Sequence, residues 1–416
     1  MNLEQQLQFL DPAELGQRLA DARKRRSLTQ QDAATVLDVS RTTIVAMEKG
    51  TRRVTADELL RLAELFDAEL SDLLRSELAD VNLSVQFRKL LEAEPLFEPD
   101  KRSALDEAID ELQRHAVQYV ELERLLGRST RPRFGRPYPL KGVGDLEGYA
   151  EEAAQEERRR LNLGDGPVAN LQEVLEESVG LRVFQFPMKG KVSGLYGYAP
   201  QLGACVAINS DHPRERRIHT LAHEYGHVVS DPTNYNIQVG VLGRSNSRAE
   251  RFSTAFGIAL TMPEAGIKRQ LREYTQHRND TELTLGDLVY LASRFHVSFE
   301  AYVRRLEDLR LLPKGTGESL KSTKFSVRSA KRQIGVFDEA NDARPPRVPD
   351  RFALLAVEAY GRELVTREQL RQMLHVNDEQ LQPVINRYSM VAMQQEGGGI
   401  HQVPIELLQQ IPLRVK

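Results

Sequence analysis

The segment RRIHTLAHEYGHVVS, from Arg216 to Ser230, carries the densest chemistry in the chain. His223 and His227 stand four residues apart, so on a helix they project from one face and can hold one divalent cation. Glu224 lies beside them, where a carboxylate can take a proton from a water on the ion's open side. Two imidazoles leave such an ion short of a third protein donor, and a carboxylate from a later helix is the usual remedy. The next helix reads SRAERFSTAFGIALTMPEAGI, and Glu250 is its first carboxylate. Zinc suits this donor set, with manganese as the alternative ion. His219, one turn before His223, lies near the same face. It either competes for the ion or orients a ligand, or it is a partly exposed bystander, which is the plainer reading.

A second set of residues points to nucleic acid. The stretch from Ser27 to Leu74 divides into short helices. Thr29 is placed to cap a helix with Ala33, Val36 and Leu37 on its apolar side, and Ser40 to cap a second with Ile44, Val45 and Met47 inward. Asp38 and Val39 form the tight turn between them. From Arg18 to Arg53 there are nine basic residues against four acids, a local excess of +5 in a chain whose net charge is −3. Neutralising phosphates requires such a local surplus.

This stretch resembles the lambda-repressor-like (XRE-type) helix-turn-helix family over about 60 residues, through TQQDAA, VSRTTIVAMEKG and TADELLRLAELFD in that order. The resemblance implies that the second helix of the motif lies in the major groove of double-stranded operator DNA. Ser40, Arg41, Thr42 and Thr43 would then face base edges, with Gln30 and Gln31 meeting backbone or bases. Members that bind operators usually act as dimers, so a homodimer is expected.

The region from Leu146 to Leu312 is similar to the ImmA/IrrE family of zinc metallopeptidases. The segment from Arg216 to His227 contains a match to RxxxLAHExGH, and Glu250, Phe256, Leu260, Met262 and Pro263 match the helix that follows. VSFEAYVRRLEDLRLL matches the family's closing pattern. The resemblance implies that His223, His227 and Glu250 hold the metal, that Glu224 is the general base, and that Ala204–Asn209 is an edge strand pairing with an extended peptide. The family's aromatic is His219 here, and its second glutamate and asparagine are Phe252 and Thr254. Loss of the outer amide is expected to loosen the site. Tyr196, Tyr235, His277 and His296 are the candidates for oxyanion stabiliser, though a structural role explains each better.

The elements that must position these groups follow from pattern. The chain has 416 residues, 40% hydrophobic and 28% charged, which suggests roughly two or three globular domains. The single cysteine, Cys205, excludes an intrachain disulfide and a four-cysteine zinc site. The N-terminus lacks the features of a signal peptide, and no stretch approaches the ~18 apolar residues of a membrane helix, so a cytoplasmic protein without membrane contact is expected.

The expected fold is mainly α with a small β-sheet. A helix-turn-helix bundle (1–80) precedes a helical linker (81–126) whose stripe of Leu105, Ile109, Leu112, Ala116 and Tyr119 is spaced either for a dimer seam or for packing on its own domain. A Pro/Arg-rich linker or extended arm (127–144) leads to a zincin-like α+β metallopeptidase domain (145–313). A polar linker (314–349) and a small helical C-terminal region (350–416) complete the chain.

Joined, the halves suggest a DNA-binding transcriptional regulator with a zinc-dependent endopeptidase that cleaves a repressor protein or itself in a stress, prophage or toxin-antitoxin response. The stretches 127–144 and 314–349 are the expected self-cleavage segments. The alternative is a repressor or antitoxin whose central zinc domain senses a ligand or binds a partner without turnover.

Overall fold

The computed structural model describes residues 7, 11–74, 99–128, 132–189, 192–232, 238–241, 247–278, 282–322, 325–336 and 345–396. Its architecture is mainly helical with one small sheet, and it divides into two compact units. The first comprises residues 1–82, 117–130 and 350–416, and the second residues 83–116 and 131–349. No helix among the described residues is long and apolar enough to cross a membrane.

The first unit opens with five short helices: α1 (Pro12–Arg25), α2 (Gln30–Leu37), α3 (Arg41–Glu48), α4 (Ala56–Phe66) and α5 (Leu70–Leu74). The starts of α2, α3 and α4 are written in the sequence. Thr29 and Asp32 form a capping box on α2, Thr55 and Glu58 another on α4, and Ser40 accepts from the Thr43 amide. Leu19, Ala33, Ala34, Ile44, Met47, Leu59 and Phe66 share one core. Helices α1 and α3 cross closely because residue 16 is glycine: a Cβ there would lie 2.3 Å from the Met47 carbonyl oxygen.

Helix α6 (Pro99–Leu125) contributes its first part to the second unit and its end to the first. Its stripe of Leu105, Ile109, Leu112, Ala116 and Tyr119 is at most 1% exposed. His115 stacks on Phe184 of the second unit, with ring centres 5.3 Å apart, and Tyr119 packs on Phe352 of the first at 5.4 Å. The chain itself therefore uses this stripe, and it is not an open dimer seam. The 4-3 spacing reports burial of a helix face, whoever the partner is.

In the second unit α7 (Leu146–Arg160) is followed by α8 (Leu171–Val174), which runs on as a π turn (Leu175–Val179). Then come β1 (Arg182–Phe186), β2 (Val192–Ala199), β3 (Gly203–Asn209), α9 (Arg214–Ser230), β4 (Gln238–Val241), α10 (Arg248–Thr261) and α11 (Glu264–Arg278). Helices α12 (Leu285–Arg294), α13 (Phe299–Asp308), α14 (Thr316–Ser322) and α15 (Val327–Gln333) follow. The first unit closes with α16 (Asp350–Gly361), α17 (Arg367–Leu374) and α18 (Asp378–Glu396).

The sheet order is β1-β3-β2-β4. Strand β3 pairs parallel with β1 and antiparallel with β2, so Ala204–Asn209 is an interior strand rather than the expected edge. A near-continuous apolar run is what an interior strand covered on both faces requires, and β3 is buried at Ala204 through Asn209. Among the described residues the edges are β1 and β4. Strand β4, too short for any alternation to be visible, was not anticipated.

Two expected linkers are packed. In the Pro/Arg arm, the Arg133 amide donates to the Val179 carbonyl (2.8 Å) and the Tyr138 amide to the Val229 carbonyl (3.0 Å). Tyr138 belongs to the same core as α7, α9 and α10. The polar stretch after residue 313 contains α14 and α15, and Lys331 ion-pairs with Glu215 of α9 at 2.5 Å. Low hydrophobicity misled here, because a short helix needs only one or two buried contacts, such as Ala330, to dock.

Candidate metal centre and DNA-binding face

The geometry of the centre begins with the crossing of α9 and α10. Small residues line it: a Cβ on Gly226 would lie 2.7 Å from the Ser253 Cα, and one on Gly257 would lie 3.0 Å from the His223 amide nitrogen. This close approach delivers the first turn of α10 to the histidine face of α9. Ser247 caps α10 by accepting from the Glu250 amide (3.2 Å). Glu250 thus sits at the positive end of a helix dipole, which favours its anion.

The three expected ligands converge. His223 Nε2 lies 3.3 Å from His227 Nε2 and 3.3 Å from Glu250 Oε2, and His227 Nε2 lies 3.3 Å from Glu250 Oε1. Donor atoms around a tetrahedral zinc with bonds of ~2.05 Å stand about 3.3 Å apart, so the side chains already have the spacing that the ion demands. Burial by itself would raise the Glu250 carboxyl, but the two imidazoles outweigh it and hold the group at about 2. Burial also acts on the histidines: it depresses His227, whereas the hydrogen bond to Glu250 overcomes it at His223 and raises that ring.

Glu224 is fully buried, and neither carboxylate oxygen has a hydrogen-bond partner. Burial first, and the Glu250 charge after it, push its carboxyl up to about 8 against the opposing pull of His223. An orphaned carboxyl next to a converged donor set is the feature expected of a base whose partner is a water on a bound ion. Its room comes from Gly194 on β2, where a Cβ would stand 2.9 Å from Glu224 Oε1 and 2.6 Å from Thr220 Cγ2. Sequence reading missed Gly194; a glycine inside a strand, which often marks a close approach, was the available signal. We expect Gly194→Ala to move Glu224, and any reaction that relies on that carboxyl should slow by about 100-fold, since ~1 Å misplacements cost that much. Thermal melting would register about 1–3 kcal/mol of overpacking.

Other expectations fall out unevenly. Thr254 Oγ1 lies 3.3 Å from His223 Nδ1, so the hydroxyl occupies the outer position for which the family uses an amide. Phe252 is fully buried and stacks on Phe256. His219 is part-exposed and is not among the converged donors; burial, then His223 and Arg216, push its ring down to about 4, which keeps it neutral. The Tyr196 hydroxyl donates to the Pro232 carbonyl (3.1 Å), a structural use. His277 is exposed on α11, and His296 follows α12 with a left-handed backbone (φ 55°). Tyr235 lies outside the described residues. Behind α9, the Tyr225 hydroxyl joins Glu157 and Arg160 of α7, and Arg160 also donates to the Arg133 carbonyl of the arm (3.2 Å).

In the first unit Ser40, Arg41 and Thr42 are exposed at the start of α3, and Thr43 is half-buried. The Ser40 hydroxyl lies 2.6 Å from that of Thr42 and 2.9 Å from that of Thr43. Gln31 is exposed, while Gln30 is half-buried and donates to Glu48 Oε2 (2.9 Å), with Arg41 donating to Gln30 Oε1 (3.4 Å). The basic surplus is smaller at the surface than in the sequence. Arg23 is buried in a bidentate pair with Glu48, Arg52 pairs with Glu58, and Arg18 with Glu14. Lys24, Arg25, Arg26, Arg41, Lys49 and Arg53 are exposed. Val45, expected inward, is only half-buried.

Comparison with known proteins agrees with this division. Residues 19–73 match the helix-turn-helix family model, and residues 176–307 match the peptidase family model described as the IrrE N-terminal-like domain. The chain therefore joins a DNA-binding helix-turn-helix region to a metallopeptidase-like region, as the two resemblances implied. No curated protein matches the chain.

Proposed function

We propose that the protein is a DNA-binding transcriptional regulator whose second unit is a zinc-dependent endopeptidase, and that it cleaves a repressor protein or itself in a stress, prophage or toxin-antitoxin response. The observation that carries this reading is the buried, unpartnered Glu224 carboxyl beside the converged His223, His227 and Glu250. Zinc held by those three would polarise the scissile carbonyl and make water acidic enough to lose a proton near neutral pH. Glu224 would accept that proton and return it to the departing amine. Gly194 leaves the space in which Glu224 can do so, and β4, the edge paired to β2 at Gly240, is the strand an extended peptide would join. The Thr254 contact to His223 supports a held ion under either reading, and it is the unpartnered Glu224 carboxyl that weighs against the non-catalytic alternative.

The test is cleavage of a quenched-fluorescent peptide library and of the chain itself, by zinc-loaded protein with and without bound DNA, followed by sequencing of fragments. The reading requires cleavage that Glu224→Gln abolishes. An intact chain and intact library, identical to the Glu224→Gln control, would leave the alternative standing.

On the DNA side, Arg41 and Thr42 are the exposed groups at the start of the recognition helix. Arg41→Ala is expected to weaken operator binding by about 1–3 kcal/mol and relax sequence preference, as measured by fluorescence anisotropy at fixed salt. Lys49→Ala, by contrast, should weaken binding to all sequences alike and lower the salt slope by about one.

A further inference from the structure

We infer that Arg216 selects an acidic side chain in the peptide bound at the metal centre, about three residues from the bond that is cut. The inference rests on the peptidase reading above and adds to it the chemistry of the substrate.

Arg216 stands seven residues before His223 on α9, two turns away on the same face. At 1.5 Å per residue its backbone is about 10 Å from that of His223 along the helix, which an extended peptide spans in about three residues. The side chain is exposed and donates to the neutral Ser193 hydroxyl (3.1 Å), and no carboxylate among the described residues pairs with it. Glu215, the adjacent acid, is taken by Lys331. Elsewhere in the second unit Arg160 is taken by Glu157 and Arg305 by Glu151.

The position of Ser193 says where the guanidinium is held. Val192 pairs with Val241 and Gly194 with Gly240, so Ser193 is the extra residue of a bulge in β2 against the edge strand β4. Bulges at sheet edges re-aim a side chain, and here the aimed hydroxyl meets Arg216. The next residue, Gly194, is the one that faces Glu224. A single strand thus connects the catalytic carboxyl to the unpaired cation, beside the edge where a peptide would lie. Arg216 has five N–H donors, and one bond to serine leaves a fork free for a carboxylate.

The test uses zinc-loaded full-length protein and quenched peptides carrying Glu, Ala or Lys at each of four positions on either side of the cleaved bond. The same peptides without quencher are titrated against the Glu224→Gln protein by anisotropy, so that preference is read even without turnover. At one position about three residues from the bond, Glu should be favoured over Lys by about tenfold, counting an exposed pair gained in one peptide and a repulsion in the other. Arg216→Glu should invert that preference, and Arg216→Lys should keep a reduced version of it, with zinc content and melting checked for each. Cleavage without a charge preference that follows residue 216 overturns the inference and spares the peptidase reading. Binding whose preference inverts, with no cleavage of any peptide, does the reverse. Neither binding nor cleavage overturns both.

Discussion

Glu224→Gln is expected to lower kcat/KM for a cleaved peptide by ~10²–10⁴ while leaving zinc content unchanged, because a positioned general base contributes about that much. The substitution keeps the volume of a side chain packed at 0% exposure, so the fold has no reason to yield. What disappears is the carboxyl's capacity to take and return a proton, on a group whose two oxygens have no hydrogen-bond partner and which burial raises to about 8. A carboxyl kept in such a place without a partner costs stability, roughly 1–3 kcal/mol for an unsatisfied buried group. The glutamine amide meets the same partnerless surroundings, so the variant should be about as stable as the parent. Loss of activity with a retained melting temperature is the signature of a group held for chemistry. Activity and stability falling together would instead mark Glu224 as structural.

Glu250→Ala should uncouple thermal stability from zinc. In the parent, zinc at 100–1,000 times its dissociation constant adds ~3–4 kcal/mol to the folded state. For a folding unit of about 200 residues that is a rise in Tm of about 10 °C. The variant retains only the two imidazoles, and the Glu250 carboxylate that stood 3.3 Å from each is gone. Its Tm should move by less than about 2 °C on adding zinc or chelator, since a few kcal/mol of ligand binding is lost with one of three donors. Scanning calorimetry with zinc and with EDTA gives the comparison. An undiminished zinc response would mean that the third donor is another residue.

Most of the fold was legible because its signals are local. Thr29 and Ser40 announced helix starts, and the apolar residues of α2 and α3 showed most of the faces that turn inward. The convergence of His223, His227 and Glu250 was legible for the same reason: the two histidines are a single turn apart, and Glu250 heads the next helix. What escaped depends on distant partners. Whether Leu105 to Tyr119 meets a second copy or its own chain cannot be read from spacing. Nor can strand order, which set β3 inside the sheet. Gly194 and Ser193 drew no notice because their importance lies in what they face across 20 to 30 residues of sequence, Glu224 and Arg216. Net charge misled as well, since Arg23, Arg52 and Arg18 spend their charge on internal partners.

X-ray absorption spectroscopy at the zinc edge, on the full chain loaded with one equivalent of metal, tests the centre most directly. The geometry predicts a shell of nitrogen and oxygen at ~2.0–2.1 Å with two imidazoles and no sulfur, Cys205 being buried in β3. A third imidazole would bring His219 into the shell and contradict the assignment of Glu250. A sulfur neighbour, or zinc that does not stay with the protein, would contradict the centre itself.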